Sequence, residues 1–154
     1  MKNIVIFTLA LWAGATYRAQ TTTENFVKAT TCLDADCVKK QVTVQYFDGL
    51  GRAKQVVNVK ASPLGKDVVN YIEYDQFGRQ VKDYLPVPQS VTQNGAIYVA
   101  PLANASSVYG GEKIFAEKVL ESSPLNRLQE QIQPGTAWST KPIKFGYDAN
   151  AADE

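Results

Sequence analysis

Apolar and polar residues alternate with period two along most of residues 42–85. Val42, Val44 and Tyr46 alternate with Thr43 and Gln45, the signature of a strand with one buried face. A second run sets Gln55, Val57 and Val59 on one side and Lys54, Val56 and Asn58 on the other. Val68, Asn70, Ile72 and Tyr74 resume the pattern, with Val69, Tyr71 and Glu73 opposite, and Val81, Asp83 and Leu85 follow. The alternation predicts a mainly all-β chain, an antiparallel meander of hairpins.

The interruptions share one grammar. They read Asp48-Gly49-Leu50-Gly51-Arg52, Ser62-Pro63-Leu64-Gly65-Lys66 and Asp75-Gln76-Phe77-Gly78-Arg79. Asp or Ser stands first, where its side-chain oxygen can cap the turn backbone. Gly stands fourth, where the chain needs a positive φ, and a basic residue opens the returning strand. This is a type I turn closed by a left-handed residue, a common hairpin connection. Pro63 suits the second position, which wants φ near -65°. The grammar returns at Ser123-Pro124-Leu125-Asn126-Arg127, with Asn126 in the left-handed slot, between strands expected over roughly 113–121 and 127–133. Asn94-Gly95 and Gln133-Pro134-Gly135-Thr136 read as further tight turns.

Residues 86–111 break the pattern. Pro86, Pro88, Pro101 and Gly110-Gly111 stand among small polar residues, which predicts one long irregular connection across the sheet. Within it, 96–100 is expected as a short strand and 102–109 as a helical turn. Asn104-Ala105-Ser106 fits a glycosylation sequon. Near the end, Asp148 follows Phe145-Gly146-Tyr147 as Asp75 follows Ile72-Glu73-Tyr74, so the module at 42–154 is expected to be truncated at its C-terminus.

The N-terminus changes the picture of where the chain works. Lys2, an uncharged and largely apolar run from Ile4 to Ala15, and then Arg18-Ala19 form the pattern of a secretory signal peptide over 1–19. The run is shorter than the ~20 residues of a membrane-spanning helix. Cleavage after Ala15 has Ala13 at the -3 position, and cleavage after Ala19 leaves Gln20 first. Losing Lys2 and Arg18 takes the net charge from +1 to -1. Neither value offers an electrostatic attraction for nucleic acid or an anionic membrane.

In the segment 20–41, Cys32 and Cys37 are the only cysteines. In an oxidising compartment they can pair, closing a short loop at a gain of roughly 2 kcal/mol. Free or partner-bound thiols and a metal site are the alternatives. Asp34 and Asp36 lie between the thiols, but two Cys without His form a poor zinc set. The chain contains no His, which excludes Ser-His-Asp and Cys-His sites and an imidazole base. Pairs such as Asp75 with Glu73, or Asp83 with Asp67, would need a cleft to act as glycosidase carboxylates. No cofactor is expected and no enzyme activity.

Two motifs carry a resemblance. Phe47-Asp48-Gly49-Leu50-Gly51-Arg52 and Tyr74-Asp75-Gln76-Phe77-Gly78-Arg79 resemble the YD repeat of RHS proteins, large secreted bacterial proteins whose β-strip coils into a hollow shell. The wider stretch, with Ala61-Ser62-Pro63-Leu64-Gly65-Lys66-Asp67, Ser122-Ser123-Pro124-Leu125-Asn126-Arg127, Trp138 and Phe145-Gly146-Tyr147-Asp148, is similar to the N-terminal domain of unknown function that precedes the RHS repeat-associated core in exported proteins of Bacteroidota. The resemblance spans roughly 25–150. It implies an exported, secreted or cell-surface, β-rich structural module that caps or starts a larger shell. The expected partners are then downstream RHS-like repeats, or a second copy through an open sheet edge. The toxin regions of the longer proteins do not carry over. The other expectation is a binding module for polysaccharide or protein, with Tyr71, Tyr84 and Trp138 as its ligand-facing aromatics. Against it, aromatics are ordinary strand formers.

Overall fold

The computed structural model describes residues 23–149. The signal peptide expected at 1–19, with both cleavage sites, lies outside the described residues. Within them the chain is mainly β, in two antiparallel sheets. The first contains β1 (Asn25–Cys32), β2 (Lys40–Phe47), β3 (Ala53–Val59), β4 (Val68–Tyr71) and β6 (Val87–Pro88), in the order β1-β2-β3-β4-β6. The second contains β5 (Lys82–Tyr84), β7 (Phe115–Leu120), β8 (Leu128–Ile132) and β9 (Ile143–Lys144), in the order β5-β7-β8-β9.

Alternation places one row of side chains across the first sheet. Val44 faces Val57, Val57 faces Val69, and Val69 faces Val87. Beside that row, Tyr46 faces Gln55 and Gln55 faces Tyr71. Val44, Tyr46, Val57 and Val87 are fully buried, and Tyr98 completes the cluster from the long connection. Of the two candidate faces on β4, the one with Val69 and Tyr71 is turned inward. The opposite face carries a polar pair, with the Thr43 hydroxyl donating to Asn58 Oδ1 at 3.0 Å.

Three features depart from the expected meander. The segment around the cysteines contributes β1, which pairs with β2 from Asn25↔Phe47 to Cys32↔Lys40. The strand after the Asp75 turn does not continue the first sheet. Among the described residues its backbone pairs with β4's extension only at the bridge Ile72↔Asp83, and its ladder is formed instead with β7, Lys82 facing Glu117. Its place beside β4 is taken by β6. The expected strand at 96–100 does not form, because side chains satisfy its backbone: Tyr98 N–H donates to Gln55 Oε1 at 2.8 Å and Gln55 Nε2 donates to the Tyr98 carbonyl at 3.0 Å. The helical turn forms as α1 (Ala105–Tyr109).

The connection is held down by one buried carboxylate. Asp67 is fully buried. Its Oδ1 accepts from Lys60 N–H at 2.9 Å and the Thr92 hydroxyl at 2.7 Å. Its Oδ2 accepts from Gln93 N–H at 3.0 Å, Gly95 N–H at 3.3 Å and the Tyr98 hydroxyl at 2.9 Å. Burial opposes ionisation, but the donors outweigh it and hold the carboxyl below its ordinary range. The Tyr46 hydroxyl adds a bond to the Gly95 carbonyl at 2.7 Å.

Candidate functional site

The predicted turns form, and three of them gather at one end of the sheets. Asp48 Oδ1 accepts from Leu50 and Arg52 N–H groups, both at 2.9 Å, while Oδ2 takes Arg52 Nε at 2.8 Å. Asp75 repeats this with Phe77 and Arg79, both N–H groups at 2.9 Å and Nε at 2.8 Å. Gly51 and Gly78 take φ of 76° and 77°. The second nitrogens of Arg52 and Arg79 close ion pairs with the same carboxylates at 2.7 and 2.8 Å. These bonds, with the backbone donors first, hold both aspartates below their ordinary range.

The Ser turns use hydroxyls for the same task. Ser62 Oγ accepts from Lys66 N–H at 2.9 Å, with Gly65 at φ 67° and Pro63 exposed at the second position. Ser123 Oγ accepts from Leu125 N–H at 3.2 Å, and Asn126 takes φ 51° after Pro124. Ser123 offers Arg127 no carboxylate, so Glu121 supplies it: both of its oxygens receive Arg127 Nε at 3.0 Å. Arg127 and the Ser123 hydroxyl together lower the Glu121 carboxyl to about 2. Sequence reading missed Glu121. The signal was an arginine kept at position five of a turn that had lost its aspartate.

Each arginine also reaches the next turn in the row. Arg52 lies over the Tyr74 ring, 4.4 Å from its centroid, and a Cβ added to Gly78 would meet Arg52 Nη1 at 3.0 Å. Arg79 donates to Asn126 Oδ1. Arg127 lies over the Tyr147 ring at 5.0 Å. Tyr74 and Tyr147 each stand immediately before an aspartate, Asp75 and Asp148. Arg52 and Arg127 thus each seat on the tyrosine that precedes an aspartate, while Arg79 bonds the fourth residue of the Ser123 turn and lies over its own Phe77. Between the Asp75 and Ser123 turns lies a cavity of about 540 Å³, bordered by Phe77, Arg79, Glu121 and Asn126. The third residue of all four turns is a large exposed apolar side chain: Leu50, Leu64, Phe77 and Leu125.

The three aromatics expected to face a ligand do not converge. Tyr71 and Tyr84 meet edge to face at 5.3 Å, and Tyr84 packs on Phe115 at 5.2 Å. The Tyr84 hydroxyl donates to Glu73 at 2.7 Å, and burial together with that carboxylate pushes it well above its ordinary range. The two rings border a shallow cavity of about 350 Å³ with Glu73 and Pro101. Trp138 lies elsewhere, in a 3-10 turn (Thr136–Trp138), and is half exposed. The carboxylates considered for catalysis are all engaged. Glu73 also takes Lys82 at 3.2 Å, and Asp83 takes Lys118 at 2.7 Å.

Cys32 and Cys37 are joined as a disulfide within the β1–β2 turn, with Cα atoms 4.7 Å apart. Among the described residues no cluster of three His, Cys, Asp or Glu could hold a metal ion. No described helix is long and apolar enough to cross a membrane. The sequon asparagine uses its amide structurally, Asn104 Nδ2 donating to the Pro88 carbonyl at 2.7 Å.

Fold and turns together define a β-hairpin module built on repeated five-residue turns. The chain belongs to the family described as Domain of unknown function (DUF6443), which matches residues 16–149. Nothing matches the chain among curated proteins or among solved structures.

Proposed function

We propose that this chain is a non-catalytic, exported structural module that caps or starts a larger RHS-like β-sheet, as its likeness to the N-terminal domains of Bacteroidota RHS proteins implies. The arginine contacts carry the reading. Arg52 and Arg127 each seat on the tyrosine before an aspartate, a contact that one turn can offer to another added beside it. Arg127 already occupies Tyr147, which prepares Asp148 as the opening of a further turn. The partner in this reading is a run of downstream repeats added beside β9. Engagement of Asp67, Glu73, Asp75 and Asp83 in structural bonds supports a role without catalysis.

The test is to extend the chain with strands carrying aromatic-Asp-x-x-Gly-Arg motifs and follow hydrogen exchange at 128–132 and 143–147. Slower exchange in the extended chain is the expected result. Unchanged exchange refutes the reading. A second reading, recognition of extracellular polysaccharide, is favoured by the half-exposed Trp138 and by the Tyr71–Tyr84 cavity. Glycan pull-down lost in Trp138→Ala or Tyr84→Ala, with folding retained, would support it.

A further inference from the structure

Asn94-Gly95 is the only Asn-Gly pair in the sequence. In such a pair the glycine nitrogen can close on the asparagine side chain, because no Cβ obstructs the approach. The nitrogen gives up its proton and bonds to Asn94 Cγ. The bond from Cγ to the side-chain nitrogen breaks, and that nitrogen leaves as ammonia, carrying the proton. Water then opens the cyclic imide at either carbonyl. The product is aspartate or, with the main chain rerouted through the side chain, isoaspartate. The balance is one water consumed and one ammonia released, with no oxidant or enzyme required.

The fold exposes the asparagine and guards the nitrogen. Asn94 is exposed and Gly95 is buried. The pair fills the centre of a tight turn, with φ of 51° and 89° and Ala96 N–H donating to the Gln93 carbonyl at 3.1 Å. Gly95 N–H donates to Asp67 Oδ2 at 3.3 Å, and the Gly95 carbonyl accepts from the Tyr46 hydroxyl at 2.7 Å. A carboxylate against that N–H opposes the loss of its proton, as any neighbouring anion does. Attack on Cγ therefore waits until residues 91–98 lift away from Asp67, a local opening of the fold.

We propose that Asn94 is a deamidation site gated by Asp67, closed in the folded chain and reached when residues 91–98 lift. The reaction then works against reclosure. Its product puts a carboxylate at position 94, between Gln93 and Gly95, whose N–H groups both converge on Asp67. Two anions there repel, so each conversion weakens the closure that delayed it. The segment over the core thus carries a one-way chemical timer. The inference does not rest on the RHS-like reading, which concerns the arginine turns and β9.

Peptide mapping by mass spectrometry on the aged, purified full chain tests the site and its gate. Loss of the Asn94 amide should be at least about tenfold slower in the native chain than in urea, the factor set by local opening. Tyr46→Phe removes one hydroxyl and leaves Asp67 in place, and should speed the native reaction about fivefold. Asp67→Asn should speed it further. Asn94→Asp, which reproduces the charge of the product, should hasten hydrogen exchange at the Gln93, Gly95 and Tyr98 amides while those of Val44 and Val57 hold. Equal rates in native and urea-treated chain overturn the gate, and so does indifference to both Tyr46→Phe and Asp67→Asn. An Asn94 amide that outlasts that of Asn126 in urea overturns the site. Unchanged exchange in Asn94→Asp overturns the timer.

Discussion

The two sheets are held by different forces. The first has an interior: a valine row crosses four strands, Tyr46 and Tyr98 close over it, and Asp67 ties the 91–98 segment down as a lid. Among its strand residues the second sheet buries only Ala116. It relies on surface ion pairs, Lys113–Glu117, Lys118–Asp83 and Lys144–Glu130, and on cations over Phe115. Exposed pairs contribute about 0–1 kcal/mol each, while a buried valine contributes about 1.5–3 kcal/mol. The first sheet is therefore held by its own interior, and the second mainly by contacts at its surface.

That contrast breaks most readily at Asp67. Asp67→Ala removes the shared acceptor of five donors and should cost about 4 kcal/mol in urea unfolding. Of the five, only Gln93 N–H (to the Tyr98 hydroxyl) and the Tyr98 hydroxyl (to the Val91 carbonyl) keep another acceptor. A loss below about 1 kcal/mol would mean that the lid is not what closes the core. Next come paired truncations. Val57→Ala, in the middle of the valine row, should cost about 2–3 kcal/mol, and Val119→Ala, exposed on β7, under about 0.5 kcal/mol. Equal losses would erase the difference between the sheets.

The turns sharpen the comparison at smaller scale. Gly51→Val and Gly78→Val should each cost about 1–2 kcal/mol, since β-branched residues are strained at positive φ. Gly78→Val should cost more, because its new atoms displace Arg52 from Tyr74. If thermal melts show both changes harmless, the turn assignment fails. Asn126→Gly should be nearly neutral. Glycine relaxes the left-handed backbone, but the substitution removes the acceptor of Arg79.

Acid should act through the same carboxylates. Glu121 is held at about 2 against an ordinary 4.5, so its contribution is complete above 4.5 and lost as pH falls toward 2. Asp67, Asp48 and Asp75 are also lowered and lose their contributions in the same direction. The melting temperature should fall through that window. In Glu121→Gln it should start lower at neutral pH and fall less steeply.

Sequence made the hairpins legible because their causes are local. Asp48, Gly51 and Arg52 lie within five residues, and every bond of that turn runs among them. The Ser123 turn was legible for the same reason, and its helper Glu121 was not, because a carboxylate displaced by two residues leaves no repeat. What sequence left obscure was set at a distance. Asp67 shares a strand face with Val69 and Tyr71, and a carboxylate in that row was a sign of a buried acceptor. Four of its five donors, however, come from 25 to 31 residues further on. The loss of the 96–100 strand to Gln55, 43 residues away, has the same origin. The split into two sheets turns on whether β5 finds β4 or β7, and alternation is blind to that choice.

Native-state hydrogen exchange, read residue by residue on the isolated chain, tests the central claim most directly. The account predicts that amides within β2 and β3, around Val44 and Val57, exchange only through global unfolding. Amides of 117–119 and 130–132 should exchange at least about tenfold faster, a local opening cheaper by about 1.4 kcal/mol. Equal protection in both sheets would contradict it.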